Sequence, residues 1–161
     1  MRYIRNQTKT DCSPTAILNA LKWSGYHITY KKDNKWIKRL LKYNKYSSGT
    51  PSSFTESYIS NNPNFKKVSS KLNPSVNDIN KALRRGNAVI VGIKIHENRG
   101  HIFFIDKKIG NKFNAINFGR CFPTECLIDS KVLKKSLKTV KWKFDTTICY
   151  SYPKMWEIGR L

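Results

Sequence analysis

The spacing of apolar residues changes period midway along the chain. In the first half it is helical. Pro14 stands where a first helical turn tolerates proline, Ala16, Ile17, Leu18, Ala20 and Leu21 make a broad apolar face, and Gly25 supplies a stop. Trp36, Ile37, Leu40 and Leu41 form the stripe of a second helix over Asn34–Tyr43. After the polar loop SSGTPSS, a short third helix starts at Pro51 and runs through Phe54 and Tyr58. Val76, Ile79, Ala82 and Leu83 predict a fourth helix over Ser75–Arg85, stopped by Gly86.

In the second half the pattern becomes that of strands. Ala88–Ile95 (AVIVGIKI) is β-branched and reads as a buried strand, and His101–Asp106 (HIFFID) as another. Gly110-Asn111 marks a turn within Lys107–Lys112, and Phe113–Phe118 is the returning strand. Ser130–Leu137 suits a short helix. Val140–Tyr152 reads as one or two strands alternating around Trp142, Phe144, Ile148 and Tyr150. Helices first and an antiparallel sheet after give an α+β fold class.

With 161 residues, 39% hydrophobic and 12% aromatic, residues 1–161 suit one domain with a real core. Charge adds a second theme. Thirty-one Lys+Arg against ten Asp+Glu leave +21. Such a surface attracts polyanions: nucleic acid, anionic membrane or acidic protein. The abundance of Lys and Asn also matches coding in an AT-rich genome, in which case the charge is simple solvation. The start, MRYIRNQTKTDCS, lacks the apolar core of a signal peptide, and no stretch approaches a membrane span. Four cysteines, Cys12, Cys121, Cys126 and Cys149, are too sparse for a secreted disulfide scaffold, and Cys121 with Cys126 lacks the second ligand pair of a zinc ribbon. The expectation is a cytoplasmic protein with reduced thiols and no metal or organic cofactor. Small size and Lys/Asn-rich composition suit a viral or phage-encoded protein.

Four residues carry candidate chemistry. Cys12 opens a predicted helix, where the dipole and exposed N–H groups favour a thiolate. His101 opens an apolar strand behind Gly100, which leaves room for the ring to face a cleft. His96, in the polar HENRG loop, is the fallback base, and His27 has no comparable setting. The hairpin about Ile109–Asn111 brings Asn117 roughly opposite His101, so its amide is placed to accept the imidazole Nδ1–H and leave the other ring nitrogen to the thiol. Asn114 is nearer the turn and is a weaker choice, and Asp106 is at the wrong end of the strand. Gln7, five residues before Cys12, is suited to share an oxyanion with the Cys12 backbone N–H. Singly, each has a plain reading as a buried or surface residue. Their order is the informative feature.

Gln7-Thr-Lys-Thr-Asp-Cys12-Ser-Pro-Thr-Ala16-Ile-Leu-Asn19 resembles the active-site signature of C39-like peptidases, a branch of the papain-like cysteine peptidases, and Gly100-His101-Ile-Phe-Phe-Ile resembles their histidine strand. The resemblance covers roughly Gln7–Gly25 and Ala88–Gly119. It departs at Ser13, where relatives usually have glycine, and at Asn117-Phe118, where many have Asp-Pro. It implies a papain-like fold, an N-terminal helical part packed on an antiparallel sheet. It also implies hydrolysis of peptide or isopeptide bonds by Cys12, His101 and Asn117, with Gln7 as oxyanion donor. The implied partner is a peptide or protein substrate, acidic if the charge steers it. The alternatives are an acyltransferase or transglutaminase-like enzyme, an inactive binding module, and a basic nucleic-acid-binding protein using Trp36, Tyr43, Tyr46 and Trp142 for stacking. Specificity is expected from the loops at Asn98-Arg99 and Gly119–Glu125.

Overall fold

A computed structural model describes residues 3–6, 12–26, 52–96 and 99–161, with residues 52–54, 96 and 99 described by backbone alone. The expected Asn34–Tyr43 helix lies outside them, as do Trp36, Tyr43, Tyr46, Gln7 and His27. The first element is α1, Cys12–Trp23, in which every residue from Ser13 to Leu21 is buried. A helix buried all round is surrounded by protein rather than laid on a surface. It ends as the sequence predicts. Gly25 at φ 104° turns the chain, its N–H reaches Lys22 O and the Tyr26 N–H reaches Leu21 O. Gly86, at φ 77°, closes α3 (Val76–Arg84) in the same way. Ser75 and Asp78 start α3 with a reciprocal capping box. The remaining helices are α2, Ser52–Ser60, and α4, Ser130–Ser136.

Eight strands complete the described fold: β1 Lys66–Leu72, β2 Ala88–His96, β3 Arg99–Ile109, β4 Lys112–Ile116, β5 Glu125–Ile128, β6 Val140–Phe144, β7 Thr147–Ser151 and β8 Lys154–Gly159. Six form one antiparallel sheet in the order β1-β8-β2-β3-β4-β5, and β6–β7 is a separate hairpin. Strand alternation divides the core. Ala88, Ile90, Phe104, Ile116, Trp156 and Ile158 face α1 and Ile59 of α2. Val89, Val91, Phe103, Ile105, Phe113 and Met155 face Ile79 and Ala82 of α3 and Leu133 of α4. Among the described residues no helix is long and apolar enough to cross a membrane.

The α+β class is therefore present, with three differences from the sequence reading. The first half is not purely helical, because β1 lies in it. Helices cover both faces of the sheet, α1 and α2 on one and α3 and α4 on the other. Three strands, β1, β5 and β8, are unpredicted, and β8 lies inside the sheet between β1 and β2. β1 (KKVSSKL) is a lysine-rich edge, the composition that discourages pairing with other chains. β8 carries Glu157, only 1% exposed. Arg85 grips this carboxylate with two bonds, 2.8 and 2.7 Å, and Asn87 and Ser69 add one each at 2.7 and 3.2 Å.

Glu56 ties α2 to the sheet. It accepts from Lys67 of β1 at 2.7 Å, from the Trp156 indole and from Lys154 at 2.9 Å. Burial opposes its ionisation, but the Lys67, Trp156 and Lys154 hydrogen bonds outweigh that and hold its pKa down at about 2.

Two outcomes are expected. Glu157→Ala removes the buried acceptor shared by Arg85, Asn87 and Ser69 and lowers stability by about 2 kcal/mol in urea unfolding. The folded pKa of Glu56 lies below its unfolded value of about 4.3, so its contribution is full above that pH and is lost as pH falls towards 2. Glu56→Gln should therefore be less stable at pH 7 and show a flatter fall in melting temperature across this acid window.

Candidate active site

The candidate residues stand at the start of α1, the start of β3 and the end of β4. Cys12 is half-buried at the first position of α1. Its neighbour Ser13 is buried and shares a 2.6 Å hydrogen bond with Thr55 of α2. α2 thus braces the end of α1 that carries the thiol, and Glu56 fastens α2 in turn. Asn19, two turns further along α1 (~10 Å), is fully buried. Its amide accepts from the Ile4 N–H at 2.8 Å and donates to the Ile4 carbonyl at 2.9 Å. A buried polar side chain needs such partners, and here they hold residues 3–6 alongside the helix.

His101 begins the apolar run of β3, paired with Ile93 of β2. By alternation it shares a face with Phe103 and Ile105, opposite the face on which Ile102 and Phe104 pack with α1. Its ring lies nearly parallel to Phe103, centroids 6.2 Å apart. Edge-on contacts continue from Phe103 to Phe118 and on to Phe122, at 5.1 and 5.2 Å. Arg5 anchors the loop that holds Phe122 by donating to the Arg120 and Phe122 carbonyls at 3.3 and 3.1 Å. An aromatic wall therefore runs from the imidazole to a half-exposed phenylalanine, within the stretch Gly119–Glu125 expected to carry specificity.

Asn117 meets His101, but through a different atom from the one expected. β4 stops at Ile116 rather than Phe118, and Asn117 turns to φ 58°. This left-handed conformation directs its carbonyl to His101 Nε2, 2.6 Å away. A carbonyl only accepts, so Nε2 carries a proton, and in the neutral ring the lone pair is on Nδ1. The amide is used elsewhere. Nδ2 donates to Ile4 O at 2.8 Å and Oδ1 accepts from Asn6 N–H at 3.1 Å. The side-chain contact through Nδ1–H is thus replaced by a backbone contact through Nε2–H. The reason is conformational: with the chain reversed at Asn117, the side chain points at the N-terminal segment and the carbonyl at the ring.

The weaker candidates are occupied otherwise. Asn114 donates to Asp106 at 2.9 Å and to Glu125 at 3.2 Å, and Asp106 also accepts from Tyr3. Of His96 only the backbone is described. Burial pushes the Cys126 thiol above its ordinary range, the opposite of what a nucleophile needs. Among the described residues no three His, Cys, Asp or Glu gather as a metal site.

His101, Asn117 and the segment through Ile4 and Asn6 are joined directly by hydrogen bonds, and that segment is bonded to α1 through Asn19. α1 also packs against β3. The arrangement offers a base, the His101 ring held by the Asn117 carbonyl, and a thiol at the N-terminus of the helix that packs against the same strand. The roles of Asn19, Thr55 and the Asn117 carbonyl were not foreseen. Asn19 offered a signal, an amide inside an otherwise apolar helix face. No protein-family model matches this chain, and no curated protein matches it.

The geometry at Asn117 is separable by mutation. Asn117→Ala loses both amide contacts and places a Cβ residue in the left-handed region, for an expected loss of about 2–3 kcal/mol. Asn117→Gly loses the same contacts without the strain and should be more stable than the alanine variant by about 1 kcal/mol. Urea denaturation of the pair measures the difference.

Proposed function

We propose that this protein is a thiol hydrolase of the papain-like, C39-like type, cleaving peptide or isopeptide bonds. The observation that carries the reading is the 2.6 Å bond from His101 Nε2–H to the Asn117 carbonyl. It fixes the tautomer whose Nδ1 acts as base, on the strand against which the Cys12 helix packs. The order Gln7, Cys12, His101, Asn117 and the burial of α1 support it.

In the proposed mechanism Nδ1 takes the thiol proton and the Cys12 thiolate attacks the carbonyl carbon. The tetrahedral oxyanion lies against the Cys12 backbone N–H, at the positive end of α1, with Gln7 as the second donor. The C–N bond then breaks as the imidazolium protonates the leaving amine. Water, deprotonated by His101, attacks the thioester. Collapse releases the carboxylic acid and restores the thiol. The exposed aromatic Phe122, at the end of the wall from His101, favours substrates with an apolar side chain beside the scissile bond.

The test is alkylation by iodoacetamide, followed site by site by mass spectrometry across pH. Cys12 should label fast well below the ordinary thiol pKa of about 8.5 and faster than the exposed Cys121, and Cys126 should lag. His101→Ala should slow Cys12 to the Cys121 rate, and Cys12→Ala should abolish cleavage in a peptide-library screen while leaving the melting temperature unchanged. Labelling of Cys12 no faster than Cys121 would overturn the proposal.

A further inference from the structure

At the other end of the sheet is a second concavity that the thiol site does not use. A cleft of about 510 Å³ opens among the end of α1, the last turn of α3, the end of β3 and Arg160, just beyond β8. Asp106, in its wall, lies five residues along β3 from His101, roughly 17 Å at strand rise. The two sites are therefore separate.

The lining is rich in cations. Arg84, Lys107, Lys108 and Arg160 face a single carboxylate, Asp106. That carboxylate is already engaged, accepting from Tyr3 at 2.8 Å and from Asn114 at 2.9 Å. Burial first, and then the Asp106 charge, push the Tyr3 phenol far above its ordinary range, so Tyr3 adds no negative charge. Lys108 is held by Asn80 at 3.2 Å. Among the described residues Arg84, Lys107 and Arg160 have no ion-pair partner. Arg160 is fixed in advance. Its guanidinium lies 4.1 Å from the Trp23 ring centroid, and its Nε donates to the Trp23 carbonyl at 3.1 Å. This leaves its two terminal nitrogens for a ligand. A stacked, oriented guanidinium beside further cations is the arrangement that matches phosphate oxygens, and the volume is within the range of small-ligand sites.

We propose that this cleft binds a phosphate ester, with Arg84, Lys107 and Arg160 holding the phosphate oxygens. The phosphate belongs either to a free nucleotide or to a nucleic-acid strand, and two probes distinguish these: ADP by calorimetry, and a fluorescein-labelled oligothymidylate by anisotropy, both at about 150 mM salt to suppress long-range attraction. A net charge of +21 makes a charge-matched control essential. Arg84→Gln with Lys107→Gln removes two exposed charges at the cleft, and Lys141→Gln with Lys143→Gln removes two exposed charges on the β6–β7 hairpin.

The cleft pair should weaken binding by about tenfold or more, and the hairpin pair by less than about twofold. Arg160→Lys should also weaken it although the charge is kept, because the planar fork is lost. Cleft-dependent binding of ADP alone assigns the site to a nucleotide. Cleft-dependent binding of the oligonucleotide assigns it to the phosphate of a strand. Equal weakening by the two pairs, or no saturable binding of either probe, overturns the proposal.

Discussion

A left-handed asparagine at the end of β4 joins the parts of the candidate site, and it uses every polar group it has. The Asn117 N–H donates to Thr124 O at 2.8 Å, its amide bridges Ile4 and Asn6, and its carbonyl accepts from His101. Few residues meet all these demands. The backbone at φ 58° favours Gly or Asn, Gly has no amide to hold the N-terminal segment, and Asp has no donor for Ile4 O. Since that segment is bonded to α1 through Asn19, the same residue ties the ring of His101 to the helix that carries Cys12.

Four of the ten acidic residues join elements of the fold. Glu56 fastens α2 to β1 and β8, Glu157 joins β8 to Arg85 at the end of α3, Asp78 caps α3 and pairs with Lys71, and Asp106 links Tyr3 to Asn114. A carboxylate buried as deeply as Glu157 is tolerable only because it meets a bidentate guanidinium and two further donors. With these four acids committed to joints, the described ion pairs engage only Lys67, Lys71, Arg85 and Lys154 among the described cations. The net positive charge is set by composition, and the fold decides only where the few negative charges sit.

This division explains what was legible in the sequence. Elements set by local signals were readable: α3 from Ser75, its apolar spacing and Gly86, the β3–β4 hairpin from Gly110-Asn111, and β2 from its β-branched run. Elements set by distant partners were not. β8 reads poorly because Glu157 interrupts it, and Arg85 and Asn87, which neutralise that charge, are some seventy residues earlier. β1 reads as solvated lysine and serine because it is an edge. In the candidate site the positions of Cys12, His101 and Asn117 followed from element order. The atom by which Asn117 holds His101 did not, because it depends on the sign of one φ angle. Asparagine's tolerance of that conformation was the available clue, and a strand continued to Phe118 concealed it.

The carbonyl contact also shapes the proposed chemistry. A carboxylate on Nε2 would fix the tautomer and also stabilise the imidazolium by its charge. A backbone carbonyl fixes the tautomer with only a dipole. The proposed thiolate–imidazolium pair must then draw more of its stability from the thiolate side, from the helix dipole at the N-terminus of α1. That places a premium on keeping this helix end immobile. The Ser13–Thr55 bond and the Asn19 grip on Ile4 are suited to it, since both act on α1 rather than on the imidazole. The rigidity of a helix buried on all sides is in this view part of the electrostatics of the thiol, because a dipole stabilises a charge only while it stays aimed at it.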